Sequence, residues 1–256
     1  MTFKAQALWW WLGSAPGCGR SAARSRTRRS CSLAPEPRAR AARWRCAPQC
    51  APSGYLAFRY PDGTFDLAAV VRHFAPSVLV GVSGQAGAFT QSIIGDLVRG
   101  CPRPIVLALS NPNSQIEATP ADLIRWTNGA AVVGTGGPFA PVAHNGTTHT
   151  IGQGNNVFIF PGVGLGATAV GAQWLPDEAF SAAADALVEC TNSCGARGAA
   201  IYPPLSELRR ISRDVGLAVA RTLVSSGAAP PLPDTEITRR VLGGIWEPTY
   251  LPYRAE

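Results

Sequence analysis

Ser77-Val-Leu-Val-Gly-Val-Ser-Gly-Gln-Ala-Gly87, SVLVGVSGQAG, is the stretch whose reading decides the fold. Its first six residues, Ser77–Val82, form a compact apolar, β-branched run of the kind a strand buried on both faces requires, and Gly84-Gln-Ala-Gly87 then breaks the pattern. Upstream, Leu67, Val70, Val71 and Phe74 fall at i, i+3, i+4 and i+7, the stripe of an amphipathic helix with Thr64 as its candidate cap and Pro76 as its stop. Downstream, Ile93, Ile94 and Leu97 share one face of a helix over Ala88–Val98. A second apolar strand over Pro104–Leu109 (PIVLAL) ends in Ser110-Asn111-Pro112. A third helix opens on Thr119 as cap, with Pro120 in the first turn and Asp122 completing a capping box. A third strand over Ala130–Gly134 ends in Thr135-Gly136-Gly137. Strands apolar throughout, alternating with helices, predict an α/β fold: a parallel sheet flanked by helices. Right-handed crossovers bring the strand ends Ser83-Gly84, Ser110-Asn111 and Thr135-Gly136 to one edge, where open α/β sheets take up ligands, and place Asn111 beside the crevice.

Further along, Gly152-Gln-Gly-Asn-Asn-Val-Phe-Ile-Phe-Pro-Gly162 sets two adjacent amides between glycines. Asn155 and Asn156 each carry a donor and an acceptor and could read a carboxamide or a hydroxy acid. A turn is the competing reading, because Asn and Gly both tolerate left-handed backbone. Gly162-Val-Gly-Leu-Gly-Ala167 fits the dinucleotide pattern G-x-G-x-x-A, but no second strand and acid follow ~20 residues on. Small residues at that spacing on a short helix predict close helix packing instead. The remainder is helical, over Asp177–Cys190 and over Leu205–Ser226, the latter striped by Leu208, Ile211, Val215, Val219 and Leu223 and stopped by Gly227.

The formal net charge of +7 is concentrated at the amino terminus: residues 1–50 hold Lys4 and nine arginines against Glu36 alone, a net +9, which leaves −2 for residues 51–256. A near-neutral body disfavours nucleic acid as the partner. No apolar run approaches the ~20 residues of a membrane-spanning helix, so we read the chain as soluble and, unless the Arg-rich terminus is a transit peptide, cytoplasmic. The seven cysteines are odd in number, and neither Cys46/Cys50 nor Cys190/Cys194 has zinc spacing, so reduced thiols are expected. Gly81-Val-Ser83-Gly-Gln85 falls short of a nucleophile elbow because Gln85 replaces its second glycine. Up to about Pro52 the sequence, with WWW at Trp9–Trp11 and SAARSRTRRS at Ser21–Ser30, supports no helix or strand pattern.

Several stretches taken together resemble the malic enzyme family: GVSGQAGAFT (Gly81–Thr90), RPIVLALSNPNSQIEATPADLIRW (Arg103–Trp126), GTGGPFAPV (Gly134–Val142), IGQGNNVFIFPGVGLGA (Ile151–Ala167), YPPLSELRRIS (Tyr202–Ser212) and WEPTYLPYR (Trp246–Arg254). The resemblance covers residues 63–256 and implies the carboxy-terminal portion of that family's NAD(P)-binding domain, a partial Rossmann-type sheet with a helical C-terminal part. It implies oxidative decarboxylation of malate to pyruvate and CO2, with NAD or NADP as hydride acceptor and Mg or Mn as the divalent metal. By the same resemblance Asn111, Asn155 and Asn156 contact malate and the nicotinamide end of the cofactor, and Ser83, Gly84, Thr135 and Gly136 line the cofactor cleft.

The family's tyrosine acid, lysine base and acidic metal ligands precede the matched stretch, and Lys4 is the sole lysine here. We therefore expect a truncated malic enzyme, inactive by itself, with residues 1–52 a low-order basic arm foreign to the fold. The rivals are a non-catalytic partner docking on a full-length subunit through an unpaired edge of its three-stranded sheet, or a second copy of itself, and a nucleic-acid-binding protein using the arm.

Overall fold

The computed structural model of the chain describes residues 30–33, 66–191 and 198–246. Expectations for Trp9–Trp11, Lys4, Cys46, Cys50, Cys194, Thr64 and residues 247–256 lie outside the described residues. Those described divide into two compact units, one of residues 30–155 with 191–203, the other of residues 156–190 with 204–246.

The first unit is built on a parallel sheet. Its strands are β1 (Ser30–Leu33), β2 (Val78–Gly81), β3 (Ile105–Ala108), β4 (Val132–Thr135) and, after the antiparallel hairpin of β5 (Val142–His144) and β6 (Thr147–His149), β7 (Gly152–Gln153). The spatial order is β1-β2-β3-β4-β7, one step per strand without reversal, as in one half of a doubly wound sheet. Val78, Ile105 and Val132 stand in register across the middle three strands. Alternation along these strands sends Leu79, Val106, Ala108 and Val133 into a core completed by helices α1 (Leu67–Phe74), α2 (Gln91–Gly100) and α3 (Pro120–Trp126). Crossovers of one hand, all advancing in one direction, put the three helices on that same face.

Local chemistry sets the helix ends. Asp66, rather than Thr64, caps α1, its carboxylate accepting from the backbone N–H of Ala68 and Ala69 at 2.9 and 3.2 Å. Thr119 accepts from Asp122 N–H at the start of α3, the first bond of the predicted capping box, while the Asp122 carboxylate accepts from the Thr119 hydroxyl in place of its backbone N–H. Asp96 of α2, itself buried, pairs with Arg72 of α1 and with Arg99.

The α/β parallel sheet flanked by helices is as predicted, with two strands more than the periodicity yields. β7 is a glycine and a glutamine, with no apolar run to mark it. β1 lies in the arm read as patternless, and it pairs with β2 from Ser30↔Val78 to Leu33↔Gly81. A strand edge offers backbone donors and acceptors that any sequence can meet, so pairing here needs no side-chain pattern. The β2 edge that a three-stranded sheet leaves open is therefore occupied within the chain.

The second unit holds α4 (Phe160–Val170), α5 (Asp177–Glu189), α6 (Leu208–Ser225) and α7 (Asp234–Gly243). Leu205–Glu207, expected as the first turn of α6, is a separate 3-10 turn. The predicted stripe of α6 is buried at Ile211, Val215, Val219 and Leu223. The G-x-G-x-x-A segment lies inside α4 and meets α6: a Cβ at Gly162 would stand 2.6 Å from Val215 Cβ, and one at Gly166 2.6 Å from the Gly216 carbonyl oxygen. Close helix packing, not a phosphate turn, explains that motif. α7 went unpredicted because Ile237 and Val241 are its only buried anchors.

Candidate functional site

Because the sheet is parallel, β2, β3, β4 and β7 all finish at one edge of the first unit, delivering Ser83-Gly84, Ser110-Asn111, Thr135-Gly136 and Gly154-Asn155 there. Beneath the first two lies Glu117, fully buried at 0% exposure. Its Oε1 accepts from the backbone N–H and the hydroxyl of Ser83, both at 2.7 Å, and from the Ser110 hydroxyl at 2.5 Å. Its Oε2 accepts from Ser110 N–H at 3.4 Å. Gly81 makes room for this carboxylate, since a Cβ there would stand 2.6 Å from Glu117 Cδ.

The hydroxyls held by Glu117 turn their lone pairs to the loop after β2. Ser110 Oγ accepts from Gly84 N–H at 2.8 Å and Ser83 Oγ from Gln85 N–H at 3.2 Å. Further on, Gly87 N–H donates to the Ile116 carbonyl and Phe89 N–H to the Glu117 carbonyl. This glycine-rich loop directs these amides inward and so does not form the nest of outward N–H groups that cradles a phosphate. Gly84, at φ +68°, supplies the left-handed turn the loop needs.

The ends of β3 and β4 interlock through amides. Gly136 and Gly137 lie so close to the 109–113 segment that a Cβ on either would collide with it, at Gly136 with the Leu109 carbonyl and Asn111 Nδ2, at Gly137 with Asn113 Oδ1 and Asn111 Oδ1. Asn113 Nδ2 donates to the Pro138 carbonyl at 3.2 Å, and the Asn111–Pro112 peptide is cis. Gln153 of β7 donates from its side chain to the Gly136 carbonyl at 3.2 Å, and Gly154 N–H to the Thr135 carbonyl at 2.7 Å.

Each predicted residue can now be placed. Asn111 is exposed at the edge, while Gly84, Gly136 and the half-buried Asn155 belong to the same unit. Ser83 and Thr135 are also there, but buried, their hydroxyls donating inward to Glu117 and to the Gly137 carbonyl. Asn156 opens the other unit, in the 3-10 turn Asn156–Phe158, so the unit boundary passes between the paired amides. The turn considered for this stretch occurs in the 3-10 turn that Asn156 opens, but without left-handed backbone: none of Gly152, Gly154, Asn155 and Asn156 has positive φ. Instead the glycines admit Tyr202, whose backbone N would stand 2.9 Å from a Cβ at Gly152 and whose hydroxyl 3.2 Å from one at Gly154. Burial pushes the Tyr202 phenol well above its ordinary value, which keeps it neutral.

Sequence reasoning overlooked Glu117. Its signal was an acid in the short Ile116-Glu-Ala118 run, not accounted for by the α3 cap, where an acid complements the helix dipole. A cavity of about 200 Å³ lies elsewhere, beside residues that precede β3 and β4, and is lined by Arg103, Ala131 and His149 among others. It is remote from the strand ends that gather the amides. Among the described residues no group of three or more His, Cys, Asp or Glu could hold a metal ion. Glu117, whose oxygens already accept from four donors, does not fit that task either. Nor is any described helix long and apolar enough to cross a membrane.

The protein-family model described as "Malic enzyme, NAD binding domain" matches residues 55–224. The NAD-dependent malic enzyme of Sodalis glossinidius is 45% identical over 191 residues, covering 75% of this chain and 34% of that protein. The NAD-dependent malic enzyme of Aliivibrio fischeri is 44% identical over 193 residues, with the same two coverages. The chain thus spans about a third of the length of the curated relatives it matches. Among solved structures, the malic enzyme of Entamoeba histolytica superposes with a TM-score of 0.57 at 24% identity, over 72% of this chain and 34% of that one. That of Pyrococcus horikoshii superposes with a TM-score of 0.53 at 22% identity, over 66% and 35%. These likenesses establish the same fold, and with the matched NAD-binding domain they make this chain a member of the malic enzyme family.

Proposed function

We propose that, with Asn156 given its role by the family resemblance alone, the chain supplies the part of an NAD-dependent malic enzyme site that orients malate and the nicotinamide end of the cofactor, through Asn111 and Asn155. Gly84 and Gly136 form its backbone walls, with Ser83 and Thr135 fixed behind them. The observation that carries this reading is the convergence of amide side chains on the edge where four parallel strands end, with Asn111 lodged against Gly136 and Gly137. A carboxamide offers two donors and an acceptor in one plane, the complement of a nicotinamide carboxamide or of an α-hydroxy acid. The inward-turned amides of the 83–89 loop suit this uncharged group rather than the pyrophosphate.

NAD, when bound, supplies the hydride acceptor. In the full reaction malate gives hydride from C2 and loses its hydroxyl proton, then CO2 departs and the resulting enolate gains a proton to become pyruvate. The residues named here hold and orient, an entropic contribution that reaches ~7–11 kcal/mol in well-aligned systems. We place the family's domain at residues 63–256, with residues 1–52 outside it apart from β1, which extends the sheet beside β2, and expect no turnover from the chain by itself. Lys4, the sole lysine, stands outside residues 55–224, which therefore contain no lysine base.

Two measurements on the purified chain test this. NAD titrated calorimetrically should bind, and Asn111→Ala should weaken binding about tenfold, about 1.4 kcal/mol. No NAD binding, or binding indifferent to Asn111→Ala, would overturn the orienting role. NAD reduction with L-malate and Mn should not exceed a mock preparation, and clear turnover would mean that a base and metal ligands are present in the chain.

A further inference from the structure

We infer that Glu117 is the positioning residue of the site: its buried charge sets the two strand-end loops and biases the edge toward the oxidised, cationic nicotinamide ring over the neutral reduced one. The second half rests on the NAD reading above.

Glu117 is the hub of this edge. One carboxylate takes both the N–H and the hydroxyl of Ser83 and of Ser110, so it ties the loop after β2 to the loop after β3 across 34 residues of sequence. By fixing the two hydroxyl protons it also fixes where their lone pairs point. Those lone pairs receive Gly84 N–H and Gln85 N–H. Ser110 directly precedes Asn111, so the residue that places the exposed amide is itself held by Glu117. Burial to 0% exposure and the space vacated by Gly81 show a side chain accommodated by the fold rather than trapped in it. A carboxyl that only braced the loops could equally be an amide with alternating donors and acceptors. Four donors and no acceptor call for a full negative charge.

A fixed anion under the strand ends has a second effect. Unit charges interact over several ångströms at an effective dielectric of about 20, and an oxidised nicotinamide ring carries a positive charge that hydride transfer removes. Oxidised NAD should therefore gain affinity from Glu117 that NADH does not.

The test uses the 256-residue chain with Glu117→Gln and Ser110→Ala. Amide hydrogen exchange at residues 83–85 needs no cofactor: Glu117→Gln should speed it at least tenfold, with α3 and β4 unchanged, and Ser110→Ala should release Gly84 alone. Unaltered exchange at 83–85 in both variants would overturn the positioning role. Separately, the ratio of NADH to oxidised-NAD dissociation constants should fall about threefold to tenfold in Glu117→Gln and stay constant in Ser110→Ala, which keeps the charge. Equal weakening of both cofactor forms in Glu117→Gln would refute the charge bias while leaving the NAD reading intact. If the unaltered chain bound neither form, the NAD reading and the bias would both fail, and the exchange result would still decide the positioning role. Should Glu117→Gln not fold, Ser110→Ala carries the exchange test, and a Gly84 amide as protected as before would overturn the relay.

Discussion

At three glycines of the sheet-bearing unit, the space left by a missing Cβ is filled by polar groups: Glu117 against Gly81, the Leu109 carbonyl and Asn111 against Gly136, Asn113 against Gly137. In the helical unit the same omission at Gly162 and Gly166 is filled by Val215 and by the Gly216 backbone. One residue type thus performs two tasks. Where the occupant is polar, the glycine builds a site; where it is another helix, the glycine only shortens the distance between axes. The spacing G-x-G-x-x-A cannot separate these cases, but the identity of the occupant does.

Replacing the glycine that admits a charged group should have the largest effect. Gly81→Ala would force Glu117 away from four hydrogen bonds in a closed interior, and we expect a loss of about 3 kcal/mol from overpacking and from disturbed charge-assisted bonds. Urea denaturation followed by circular dichroism measures it. A loss below about 1 kcal/mol would mean that Glu117 moves aside freely and that the site-building side of the contrast is wrong.

Gly166→Ala comes next, at about 2 kcal/mol, because its neighbour is a backbone carbonyl that cannot rotate out of the way. Gly164, two residues earlier in the same helix, is the internal control, with nothing within 4 Å of its Cβ position. Gly164→Ala should stabilise the chain by about 0.5–1 kcal/mol through helix propensity alone. Opposite signs for two glycines in one motif would sharpen the helix-packing assignment. The same sign for both would break it.

The contrast also explains which features were legible in the sequence. α1 to α3 were readable because burial of one face imposes a period, β2 to β4 because burial on both faces makes the whole run apolar, and Thr119-Pro-Ala-Asp122 because a cap is local chemistry. The hairpin of β5 and β6 carried its own signal, Asn145-Gly146, both with positive φ as a tight two-residue turn requires, but the flanking strands are too short to announce themselves. β7 was hidden because backbone hydrogen bonds define it. Of the site, the exposed amides could be named from the motif, whereas Glu117 could not: its role depends on Ser83 and Gly81, more than thirty residues away and brought near only by the fold.

The smallest effect expected concerns a second carboxylate, one that meets the opposite environment. Glu236 of α7 sits at the surface, where bonds of 2.7 Å from Arg239 and 2.6 Å from Arg240 hold its carboxyl at about 2, below the usual range. A folded-state value below the unfolded one, about 4.3, means that this pair contributes stability above that pH and loses it as pH falls toward 2. Solvent-accessible partners make the contribution small and salt-sensitive. Carbon-detected NMR titration should find the Glu236 midpoint low in dilute buffer and raised toward its ordinary value in 1 M salt, while exchange at residues 83–85 stays unchanged over the same range. A midpoint indifferent to salt would mean that the arginine fork is not what holds Glu236. Loosening of the 83–85 amides by salt would mean that Glu117 is reached by solvent ions, and the distinction between a site-building carboxylate and a surface one would fall. The comparison is decided by screening, because only a charge sealed among hydrogen-bond donors keeps its field at high ionic strength.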